Sequence, residues 1–251
     1  MGKSNIDELL KSYLLDFGFK KKGYDFVKPI SDNIIHTIGF GKSVYAVKGH
    51  TLINPFIGVG FRDINKLYAD LCDVKFCECP TLWQGLGYLM PENDYKEWDF
   101  INDDNNDEVL SDMFTNLFHY GEQYWLRLSD FDELFNAVYI REKGLLNDRR
   151  ERLLPILYYM KGEKEKGIKF IQETIERRSK RPTDEELLAG RDKEKTIILR
   201  AGEEPKLTAA DMEKMLNSLP SGGSIEIVGS GCNGNIDPSY LEFAKRYEQL
   251  P

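Results

Sequence analysis

The sequence predicts an α+β fold: an antiparallel sheet with an N-terminal helix, covered by a helical segment and followed by a small C-terminal strand-helix-strand-helix unit. Three observations predict it. Residues 4–17 carry apolar side chains at three- and four-residue steps. Residues 24–61 break into short β-rich runs separated by Gly, Pro, Ser, Asp and Asn, and from Asp107 the three- and four-residue period returns.

In the first helix Ile6, Leu9, Leu10, Tyr13, Leu14 and Phe17 fall on one stripe, with Ser4 placed to cap it and Gly18 to end it. YDFVK, NIIHTIGFG, VYAVK and TLINPFIGVGF then read as successive strands. Ile34, His36, Ile38 and Phe40 share one face of the second, and Pro55 inside the last suggests an edge or a bulge. Asp63 to Leu71 reads as a short helix, and Leu86 to Met90 and Tyr95 to Ile101 as short strands. Two helices follow: one from Asp107 through Tyr120, the next around Phe131 to Tyr139 with Ser129 as its cap. The segment LLPILYYMKGEKEKGIKFIQETI resembles one helical hairpin of a tetratricopeptide-type repeat, hinged at Gly162. No second copy appears at a period near 34, so one packing unit is expected and not an array.

The expected domains are residues 1–181, with helix and sheet in 1–102 and helices in 103–181, then a charged linker at 182–195 and a unit at 196–251. In that last unit TIILR, TAADMEKMLNSLP, SIEIV and PSYLEFAKRYEQL read as strand, helix, strand and helix, the final helix capped by Asp237.

Composition removes several function classes. With 251 residues, 42 acids against 34 bases and a net charge of -8, the chain suits an acidic globular protein with length enough for a core. It has no apolar run of the roughly 18 residues a membrane span needs, and MGKSNIDELL lacks a signal-peptide core, so a cytoplasmic protein without membrane association is expected. The basic stretch 141–181 is interspersed with Glu151, Glu163, Glu165, Glu173 and Glu176, which disfavours nucleic acid.

Motifs for chemistry fail on inspection. Gly229-Ser230-Gly231-Cys232-Asn233-Gly234 matches the dinucleotide pattern, but the next helix starts only near Pro238 and no second strand follows, so a tight loop is expected. GFGKS at 39–43 lacks the first P-loop glycine, whose position is His36. Cys72, Cys77, Cys79 and Cys232 do not have zinc-knuckle spacing, and reduced thiols with no bound metal are expected. His36, His50 and His119 belong to no nucleophile or zinc motif. No catalytic residue and no cofactor is expected.

The acidic stretch remains. Residues 103–133 carry nine acids against the single base Arg127. Asp103, Asp104, Asp107, Glu108 and Asp112 form the expected partner-binding patch, with Trp98 and Phe100 as aromatic anchors, suited to a basic protein partner. The alternative is a small-molecule enzyme or ligand-binding protein with a pocket between sheet and helices, lined by His36, Tyr45, His119 and Trp125.

The stretch LLKSYLLDFGFKKKGYDFVKPISDNIIHTIGFGKS resembles a family of uncharacterised bacterial domains that open with a helix, a GFKKKG turn, a Phe-bearing strand and a strand ending in Lys-Ser. The likeness covers roughly the first 60–70 residues. Several such families occur beside polymorphic toxins and are regarded as immunity proteins, so the resemblance implies a cytoplasmic inhibitor of one toxin. It brings no catalytic residues with it.

Overall fold

A computed structural model describes residues 6–101, 106–143, 147–180, 196–200, 214–215, 217–218, 224–228 and 236–251. The chain divides into two compact units, residues 1–163 and 164–251.

The first unit opens with α1 (Ile6–Asp16), which buries Ile6, Leu10 and Leu14. Gly18 ends it: φ is +81°, a conformation that glycine adopts without a Cβ clash. Strands β1 (Lys20–Lys22), β2 (Asp25–Pro29), β3 (Ile34–Lys42) and β4 (His50–Phe61) then form a continuous antiparallel meander. β5 (Leu82–Gly85) and β6 (Trp98–Ile101) both pair with the far edge of β4, β6 on Ile53 and the residues before it, β5 on Phe56–Val59. Pro55 therefore lies in the two-residue gap between these partners. It sits in a central strand, at the place along that edge where no ladder donor is required.

α2 (Arg62–Cys72) follows β4 directly, and α3 (Asp107–Leu128), α4 (Phe131–Tyr139) and α5 (Asn147–Met160) complete the unit. Asp130 is the cap of α4, accepting from the amides of Asp132 and Glu133, rather than Ser129 one residue earlier. The expected strand at Leu86–Met90 is also displaced. Leu86–Tyr88 is a single 3-10 turn, because Gly87 lies against the backbone of Asp94 and Lys96 and the chain must bend there, while the ladder belongs to Leu82–Gly85.

Strand alternation gives the sheet two different faces. One carries Ile38, Phe40, Ile57 and Val59 and is covered by α3, whose Gly121 meets the end of Ile57. α1 joins this layer through Tyr13 on Phe114, with ring centroids 4.1 Å apart. On the other face β3 and β4 present Gly39, Gly41, Gly58 and Gly60, and α2 lies against β4 with α5 packed on α2 and α4.

In the second unit α6 (Lys164–Ser179) packs on α7 (Pro238–Glu248), where Gly167 admits the Tyr247 hydroxyl and Lys164 donates to the Glu248 carbonyl at 3.0 Å. Asp237 caps α7 by accepting from the Ser239 amide. β7 (Thr196–Arg200) and β8 (Ser224–Val228) pair in parallel, and the helical residues 214–215 and 217–218 lie between them in sequence. The charged stretch 182–195, the glycine motif at 229–234 and Ser4 are outside the described residues.

Candidate functional site

The glycine face is where the first unit becomes concave. Gly58 and Gly60 let the loop between α2 and β5 lie directly on the sheet. A Cβ on Gly58 would come within 2.5 Å of the Pro80 Cβ, and one on Gly60 within 2.6 Å of the Cys79 carbonyl oxygen. The loop is fixed by a buried polar network. Asn65 donates to the Cys79 carbonyl at 2.7 Å and accepts from the Thr81 hydroxyl at 2.9 Å, and that hydroxyl accepts from the Phe61 amide at 2.8 Å. Glu78 ties the same loop to the edge strand β1 through Lys22 and to the start of α2 through Arg62 Nε at 2.9 Å. These bonds, that from Lys22 foremost, hold its carboxyl below the usual range.

Two cavities flank this loop. One, of about 340 Å³, lies between α2, α5 and the loop, with Ile64, Ala69, Val74 and Leu153 as apolar walls and Tyr68, Lys75, Cys77, Cys79 and Arg149 as polar ones. The other, of about 410 Å³, lies over Gly39, Gly41 and Gly58 between Tyr24, Asp25, Phe56, Pro80 and Trp83. Cys79 and Arg149 line both. Phe56 and Trp83 meet edge to face at 5.0 Å, giving the second cavity a rigid aromatic wall.

Arg149 is half-buried and donates one Nη2 bond to the Pro80 carbonyl. No carboxylate pairs with it among the described residues. Burial, and after it the neighbouring Cys77, pushes the Cys79 thiol up to about 11, so it stays protonated at neutral pH. Burial likewise raises the Asp25 carboxyl above its ordinary value.

The residues singled out from sequence fall elsewhere. Trp98 is 4% and Phe100 0% exposed, both core side chains of β6, so neither is an aromatic anchor on a partner-binding surface. The Trp98 indole donates to Asp112 at 2.7 Å, which gives that acid a structural task. Asp107 and Glu108 are exposed in the first turn of α3, where the helix dipole favours acids. Asp103 and Asp104 are outside the described residues.

His36, Tyr45, His119 and Trp125 do not form one pocket. Tyr45 is 89% exposed in the β3–β4 hairpin, and His119 is exposed on α3 against Tyr120. Only His36 and Trp125 meet, with parallel rings 5.1 Å apart, and His36 Nε2 lies 3.0 Å from Ser129 Oγ. Among the described residues no group of three or more His, Cys, Asp or Glu is placed to hold a metal ion; Cys232 is outside them.

Burial first, and Lys28 second, lower the His36 pKa from 6.5 to about 4. The folded state therefore favours neutral imidazole, and this contribution is fully present above pH 6.5 and lost as pH falls from 6.5 towards 4. Allowing for its part exposure, His36 contributes on the order of 1–2 kcal/mol of this pH dependence. Urea unfolding at pH 7 and pH 4.5 checks it: His36→Gln should lose less stability between the two than the parent, and equal losses contradict the assignment.

The residues that build the cavities were not legible as a site. Arg149 belongs to the run Arg149, Arg150, Arg152, which reads as a solvated basic face. Yet Arg150 is buried and donates to the Val138 and Tyr139 carbonyls at the end of α4, and Arg149 turns to the cavities. The available signal was the pair of alternations GFG at 39–41 and GVG at 58–60, which strip side chains from one face of neighbouring strands. No family model, no curated protein and no solved structure matches the chain.

Proposed function

We propose that the chain is a non-enzymatic binding protein that holds a small ligand in the paired cavities meeting at Arg149 and Cys79. The observation that supports this reading is the half-buried guanidinium at their junction, which has a single carbonyl partner and no carboxylate among the described residues. Cavities of about 340 and 410 Å³ are of the size that receives small molecules. The loop separating them is held by Asn65, Thr81, Glu78 and Arg62, so the walls are organised before binding and little ordering cost remains. A reducing cytoplasm suits Cys72, Cys77 and Cys79, none of which forms a disulfide among the described residues.

Native mass spectrometry of protein purified gently from a lysate tests the reading. The expected result is a low-mass adduct on the parent chain that is lost in Ala69→Leu, which fills the first cavity from α2. A parent chain without an adduct, or an adduct that Ala69→Leu retains in full, contradicts it.

A second reading, occlusion of a basic protein partner in the manner of an immunity protein, is favoured by the exposure of Asp107 and Glu108 on α3. It calls for a basic protein that co-purifies stoichiometrically and is released by Asp107→Asn with Glu108→Gln.

A further inference from the structure

We infer that the ligand of the cavity between α2 and α5 is a small organic anion with an apolar body, its anionic head seated on Arg149. The inference rests on the proposed binding function and adds the chemical class. Among the described residues the charged side chains in the wall are Lys75 and Arg149, both cationic, and none is an Asp or Glu. Neither cation is engaged by a carboxylate among the described residues. Burial, and after it Cys72, raises the pKa of the Tyr68 hydroxyl in the same wall, while Arg152 and Arg149 oppose that rise with positive charge.

The remaining polar groups fit an anion as well. The Asn65 carbonyl oxygen and the Thr81 hydroxyl are engaged in the loop network, and Asn65 can offer an anion only its remaining N–H. Cys79 stays a neutral thiol at physiological pH and does not oppose a negative head. Of the five guanidinium N–H donors, the bond to the Pro80 carbonyl uses one, which leaves a fork for a carboxylate or a phosphate monoester. Ile64, Ala69, Val74 and Leu153 supply a contiguous apolar lining for a short hydrocarbon or aromatic body.

The neighbouring cavity differs. Asp25 and Arg149 both line it, so its charges are mixed, and the anion preference belongs to the first cavity.

Isothermal titration calorimetry on the full chain tests the class with four probes of one body: hexanoate, hexyl phosphate, hexanol and hexylamine. The expected result is that at least one anion binds tenfold or more tightly than hexanol, with hexylamine weakest; which anion is tighter separates a carboxylate from a phosphate head. Arg149→Gln, which removes the charge and the fork, should bring the anions to the affinity of hexanol and leave hexanol unchanged. Arg149→Lys, which retains charge without the fork, should keep part of the preference, and it stands in if the glutamine variant fails to fold. Hexanol binding as tightly as both anions overturns the anion class while the binding reading stands. If none of the four binds, both the class and the binding reading of this cavity fall.

Discussion

Trp125→Ala should lower the unfolding free energy by about 3–5 kcal/mol, enough to leave a domain of ordinary stability close to its unfolding threshold. Trp125 is buried on the α3 side of the sheet, and its indole donates to the Gly58 carbonyl at 3.0 Å. Its ring also packs on Phe19, at 5.6 Å between centroids, and lies parallel to His36. Truncation thus opens a cavity between helix and sheet and removes a bond that ties α3 to β4 at a glycine of the opposite face. Trp125→Phe separates the two effects. It keeps most of the packing and should cost about 1–2 kcal/mol for the lost hydrogen bond and the smaller ring. Urea unfolding followed by far-UV circular dichroism measures both, and a Trp125→Ala variant within 1 kcal/mol of the parent contradicts this account of how α3 is held.

Gly60→Val should cost about 2–3 kcal/mol, and its effect should extend to the cavities. A Cβ at Gly60 meets the Cys79 carbonyl oxygen at 2.6 Å and two carbons of Ile35, at 2.7 and 2.9 Å. The nearest obstacle is backbone and Ile35 is buried on the strand, so the clash is relieved by moving the loop off the sheet. That movement breaks the bond from Asn65 to the Cys79 carbonyl and shifts Cys79, which walls both cavities, and Pro80, which walls the second. Val47→Thr, at an exposed position of the β3–β4 hairpin, is the control and should change stability by less than about 0.5 kcal/mol. Equal melting of Gly60→Val and this control contradicts the close loop-to-sheet contact.

The fold was legible where a local rule acts alone. The stripe of α1, the left-handed Gly18 and the Asp237 cap depend on residues within a few positions of each other, and all three are present. Pro55 could not be placed correctly, because the gap it occupies is made by β5 and β6, more than 25 residues away. Trp98 and Phe100 misled for a related reason. They follow a polar loop and precede an acid-rich helix start, yet β6 pairs with β4 and carries them into the core. The cavities required four segments at once: the glycines of β3 and β4, the inner face of α2, the cysteine loop and the start of α5. Composition and period describe each of these segments singly, and only the sheet register brings them together.

The central claim is that the cavities meeting at Arg149 receive a small molecule. The most direct measurement is a titration of ¹⁵N-labelled full-length protein with the small-molecule fraction of a lysate, followed by amide chemical shifts. The account predicts saturable shifts clustered at Tyr68, Ala69, Val74, Cys77, Cys79 and Arg149. Saturable shifts confined to Asp107–Asp112, or no saturable shift near Arg149, would contradict it.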